Sequence, residues 1–101
     1  MPTTNKLLLE AIALRKCVAA TYNRTAVKLA PHILYTRHGE LYLDAVTLER
    51  DGQPPRETKL GAFKLTGLTG LKALDQYFEI APVFVPSDQK YAGTALFAVE
   101  T

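Results

Sequence analysis

The chain predicts an α+β fold that is mainly β: a small barrel of short strands, one short N-terminal helix, and a short helical segment near residues 69–76. Three observations predict it. First, Arg37-His38-Gly39-Glu40 reads as a tight turn opening onto Leu41-Tyr42-Leu43-Asp44-Ala45. In that run Leu41, Leu43 and Ala45 face one way and Tyr42 and Asp44 the other, the period of a strand. Second, residues 26–37 form a long extended stretch broken near its middle by Pro31. Proline cannot donate to a ladder, so Pro31 marks an edge, a bulge or a sharp bend, and a small curved barrel needs such a bend. Third, Leu8, Ala11 and Ile12 share one face at helical spacing.

The elements follow in order. Thr3, Thr4 and Asn5 are candidate N-caps for a helix over residues 5–16, and Arg15 and Lys16 suit the negative end of its dipole. Three turns are marginal alone, so the helix must pack on something. Residues 17–22 alternate as a first strand, closed by the turn Asn23-Arg24-Thr25, and a second strand spans residues 26–37. His38-Gly39 supplies the positive backbone angles of a two-residue hairpin. The third strand covers residues 40–49, and the loop Arg50-Asp51-Gly52-Gln53-Pro54-Pro55 ends it. A fourth strand spans residues 57–65, so the barrel strands occupy about residues 17–65. Leu68, Leu71 and Leu74 recur every three residues, which predicts the helical segment at 69–76. The whole of 66–90 reads as helical or irregular, with the proline-pinned run Ile80-Ala81-Pro82-Val83-Phe84-Val85-Pro86 crossing the barrel. Residues 94–99 form a last apolar strand, able to close the sheet or to pair with another molecule.

At 101 residues the chain is one domain, residues 1–101, and a hydrophobic content of 48% is globular rather than disordered. The net charge of +2 is too small to imply nucleic acid, but it is uneven. Residues 1–37 hold six bases against Glu10, a balance of +5, which leaves −3 for the rest. A basic half attracts an anion if its charges converge in space; otherwise they are scattered and solvated. Cys17 is the single cysteine, so no internal disulfide exists, which fits a reducing cytoplasm. No apolar run approaches a membrane span and no secretion signal is legible, so a cytoplasmic protein without a membrane partner is expected.

Catalytic chemistry finds no complete set. His32, His38 and Cys17 lack metal-ligand spacing, the single serine, Ser87, lies in a turn, and no phosphate-cradling glycine loop is present. A binding protein is therefore expected rather than an enzyme, with no metal or cofactor. Tyr22, Tyr35, Tyr42, Tyr77 and Tyr91 offer rings that stack, and Arg37, Arg50, Arg56, Lys59 and Lys64 lie in or beside the central strands. Cations interleaved with rings on a curved sheet hold single-stranded nucleic acid or nucleotides in many small barrels. Tyr35, Tyr77 and Tyr91 are also read as core residues. Tyr42 is not, because Leu41 and Leu43 already supply the apolar face. His32, at the bend, is either re-aimed toward a site or satisfied by a backbone carbonyl.

These residues resemble the WYL-domain family. Leu41-Tyr42-Leu43 stands where that family carries Trp-Tyr-Leu, Pro31-His32-Ile33-Leu34 is similar to its Pro-x-x-Leu segment, and Phe63-Lys64-Leu65 to its Phe-Arg-Leu segment. Tyr22 and Gly39 fall at the expected places, and the likeness covers about residues 6–86. The resemblance implies an Sm-like or SH3-like β-barrel acting as a sensing or regulatory domain in transcription, one that binds nucleic acid or a nucleotide-type ligand. It carries Tyr22, His32, Tyr42 and Lys64 over as ligand-binding residues; Arg37 and Arg56 join them from charge and placement. Leu41 replaces the family's Trp, and Thr66-Gly67 replaces its Asp-Arg pair. The chain also leaves no room for the helix-turn-helix module such domains usually follow, so a stand-alone domain is expected. The alternative expectation is a protein-interaction or self-assembly module that pairs through the strand at 94–99, as a homo-oligomer or with a protein partner.

Overall fold

The computed structural model describes residues 3–99, with side chains from residue 6 onward. The capping side chains of Thr3, Thr4 and Asn5 lie outside the described residues. The helix α1 (Thr3–Leu14) is followed by the strands β1 (Lys16–Tyr22), β2 (Thr25–Arg37), β3 (Glu40–Arg50), β4 (Leu60–Lys64), β5 (Leu68–Tyr77) and β6 (Ala95–Ala98). All pairings are antiparallel, in the order β4-β3-β2-β1-β5, and β6 joins β2. The fold is thus mainly β with one short helix, as the alternation predicts. The sheet does not close: β4 and β5 are its two ends, joined by the single 3-10 turn Leu65–Gly67. It curls far enough that the Tyr22 ring of β1 meets Phe63 of β4 edge-on, 5.0 Å between centroids. No helix among the described residues is long and apolar enough to cross a membrane.

Local chemistry explains the turns. Asn23 and Arg24, His38 and Gly39, and Asp51 and Gly52 are successive pairs with positive φ. In the first two pairs that conformation matches the twist of the strands they join. Arg15, at φ 58°, ends α1 in the same left-handed conformation. Leu8, Ala11 and Ile12 of α1 are buried against the sheet. Each large apolar side chain buried there contributes roughly 1.5–3 kcal/mol, which holds a helix too short to persist alone.

Pro31 acts as predicted. Pro31 stands opposite Ala45 and Ile33 opposite Asp44, so His32 is the extra residue of a bulge. The bend lets one edge of β2 serve two partners. Residues 25–29 pair with β1, and residues 33–35 pair with β6. The last strand thus closes onto its own sheet along one edge.

The helix expected at 69–76 is not formed; those residues belong to β5. Leucines three apart fall on one side of a strand only if extra residues are absorbed. Two register shifts against β1, together with Gly70 at φ +61°, absorb them. Leu68 is buried, and Leu71 and Leu74 are half-buried against the core. Unpaired hydrogen-bonding groups along β1 outweigh a weak helical preference interrupted by glycines. The fourth strand is shorter than expected, because residues 51–59 stay irregular and exposed.

Both faces of the central strands are covered. On one face Leu34, Leu43 and Phe63 line up in register across β2, β3 and β4, all buried. On the other, the irregular strap of residues 78–94 lays Phe84 and Tyr91 over His32 and Tyr35. Asp44, which the alternation places on a polar contact surface, is therefore fully buried beneath the strap.

Candidate functional site

The predicted residues separate into three places. Arg37, Tyr42 and Lys64 gather on the open end of the sheet. Tyr42 is directly opposite Tyr35 on β2 and Lys64 on β4, so the three side chains share a face. The Tyr42 ring stacks on Tyr35 at 6.0 Å, and the Arg37 guanidinium lies 5.9 Å from the Tyr42 ring. Lys64 bonds Glu40 at 2.9 Å, and that partner raises the affinity of the amine for its proton. Arg37 is exposed, and Tyr42 is half-buried with a supported ring. Together they present an exposed cation beside a supported ring, an arrangement on which a flat ring can stack.

Tyr22 and Arg56 share a second place, a cleft of about 600 Å³ between β3, β4 and the loop at 51–59. Tyr22 and Phe63 form its aromatic floor, Pro54 and Pro55 a rigid wall, and Arg50, Arg56 and Lys59 its cations. Glu57 is the one acid in the lining and lies 3.7 Å from Lys59. The cleft therefore carries a net positive charge over an apolar base. Such a combination accepts a ring that bears an anion.

The Tyr22 ring is fixed by a missing side chain. A Cβ on Gly67 would lie 2.8 Å from Cε1 of Tyr22. The Gly67→Ala variant is expected to push the ring off Phe63 and cost about 1–3 kcal/mol, the range for overpacking. Urea denaturation reads the loss, and an unchanged midpoint would show that the ring yields freely.

His32 is in the third place, and the ligand role expected of it is corrected here. It is fully buried. Its Nδ1–H donates to the Ala30 carbonyl at 2.8 Å, and Nε2 accepts the Ala81 amide at 3.0 Å. Neither nitrogen is left for a ligand. Burial pushes its pKa down, and the bond to Ala30 offsets this only in part. The bulge does re-aim this side chain, but toward the strap.

Of the tyrosines read as core, Tyr35 and Tyr91 are buried, whereas Tyr77 is 63% exposed with the Lys16 ammonium 5.8 Å from its ring. What sequence reasoning missed is the group around Asp44. Tyr35 donates to it at 2.6 Å, Tyr91 donates to its other oxygen, and Lys90 lies 2.8 Å from that oxygen. Burial first, then the bonds to Asp44, hold both phenols above their ordinary pKa. An aspartate in the middle of an apolar strand was the available signal, since a buried carboxylate requires partners. Burial likewise pushes the Cys17 thiol up, which leaves it unreactive. Among the described residues, no three His, Cys, Asp or Glu side chains gather as a metal site would require.

Comparison with family models, with curated proteins and with solved structures returns no match.

Proposed function

We propose that the chain is a WYL-like binding domain with an Sm-like or SH3-like curl of its sheet, and that it takes an anionic, ring-bearing ligand: single-stranded nucleic acid or a nucleotide. The observation that carries this reading is the pairing of rings with cations in two places, one on each face of β4. Tyr22 lies with Arg50, Arg56 and Lys59 in the cleft, and Tyr42 lies with Arg37 and Lys64 on the open end of the sheet. Bases stack on the rings and phosphates lie against the cations. The strand order, the 3-10 link between β4 and β5, and the contact of Tyr22 with Phe63 support the barrel-like comparison.

A labelled oligothymidylate tests the reading. Binding is expected to weaken steeply between 50 and 200 mM salt, with a log–log slope of about −0.7 per phosphate neutralised. Replacing Arg56 and Lys59 by alanine flattens that slope. Tyr42→Ala removes one stacking ring, worth about 1–3 kcal/mol. Binding insensitive to salt and to both changes, or no binding at micromolar protein, overturns the proposal.

A second reading, assembly through the last strand, is favoured by one observation. β6 has β2 on one side, no charged residue along its length, and Leu96 59% exposed. A stable oligomer in sedimentation, without oligonucleotide binding, would favour it over the first.

A further inference from the structure

The geometry points to His32 as a proton-operated latch that holds the strap of residues 78–94, together with β6, on the outer face of the sheet. Three attachments converge on this one residue. The ring accepts the Ala81 amide at Nε2, its backbone carbonyl accepts the Val99 amide at 2.8 Å, and the rings of Phe78 and Phe84 pack on the imidazole at 5.0 and 5.2 Å. The first half of the strap, residues 78–84, and the residue that follows β6, Val99, are thus held by one residue that the bulge leaves unpaired with β3.

The ring's two bonds specify one protonation state. Nδ1 must carry a hydrogen to reach the Ala30 carbonyl, and Nε2 must lack one to accept from Ala81. A second proton on Nε2 would set two donors against each other. It would also place a charge on a fully buried side chain packed against two phenyl rings. No neighbour compensates directly. Glu79 is the one charged side chain sharing a hollow of about 410 Å³ with His32, and Gln76, Thr58 and Tyr77 are its other polar side chains. From β3 the nearest acid in register is Asp44, already engaged by Tyr35, Tyr91 and Lys90. β6 offers no titratable group.

The direction follows from linkage. With the strap open, the imidazole titrates near its ordinary value of about 6.5; with the strap closed it resists protonation. Closure is therefore undiminished above that pH. Below it, the closed-to-open ratio falls by about tenfold per pH unit, until the closed form itself takes up the proton. Opening withdraws Tyr91 and Lys90 from Asp44, and it uncovers Tyr35 and the edge of β2 at residues 33–35.

Amide hydrogen exchange on the full chain, corrected for the intrinsic rate at each pH, tests the latch between pH 7.5 and 5. Protection at Phe84, Tyr91 and Val99 is expected to fall by about tenfold per unit below pH 6.5, while Leu29 and Leu43 stay protected. His32→Gln keeps one donor and one acceptor but cannot titrate, so the pH dependence of the strap should vanish. Should that variant fail to fold, imidazole nitrogen shifts of the natural chain decide instead. A ring titrating at or above 6.5, strap protection unchanged by pH, or loss in step with Leu29 and Leu43 each overturns the latch.

Discussion

Asp44→Ala is expected to lower the stability of the fold by about 3–5 kcal/mol, the cost of removing one partner from a buried charged network. The carboxylate is fully buried and engaged by Tyr35, Tyr91 and Lys90. Alanine leaves two hydroxyls without their acceptor beneath the strap and strands the Lys90 ammonium beside them. The half-exposed Lys90 can turn to water; the tyrosines cannot. Urea denaturation followed by tyrosine fluorescence measures the loss. A change under 1 kcal/mol would mean that water replaces the carboxylate freely, and the strap would then not be packed as described. Asp44→Asn keeps an acceptor but turns an amide toward the same groups, so a smaller loss is expected.

Leu43→Ala, one residue earlier, is expected to cost about 2–5 kcal/mol by a different mechanism. Leu43 is fully buried between Leu34 and Phe63, so its removal opens a cavity on the inner face. The two variants differ in what accompanies the loss. Asp44→Ala should speed hydrogen exchange in the strap beyond the global loss. Leu43→Ala should lower protection uniformly across β2, β3 and β4. Equal patterns would show that the two faces unfold as one unit. Successive residues of a strand point to opposite faces, so large losses at both 43 and 44 require a layer on each side of β3.

Much of the fold is legible in residue order. The positive-φ pairs at 23–24 and 38–39 mark the hairpins, Asp51-Gly52 opens the irregular loop after β3, and Pro31 marks the bulge. The candidate site is legible only in part. Tyr42 falls opposite Tyr35 because hairpin register follows from turn length, and the turn at 38–39 was readable; Lys64 comes opposite Tyr42 only through the long loop between β3 and β4. Arg50 and Lys59 join Tyr22 and Arg56 only through the path of an irregular loop, which no periodicity reports. His32 illustrates the limit from the other side. Its position at a bend was visible, but its partner lies 49 residues away.

By itself the sequence determined what acts over a few residues: the turns, the alternation of β3, the break at Pro31 and the apolar stripe of α1. Backbone angles and side-chain period are local properties, so local residues suffice to specify them. Tertiary structure alone decided that residues 68–77 extend, that Asp44 is interior and that His32 holds the strap. Each of those outcomes depends on a hydrogen-bonding or apolar partner supplied by a distant segment. Burial outweighs local preference there because an unmatched polar group inside the protein costs more than a residue's helical or strand tendency.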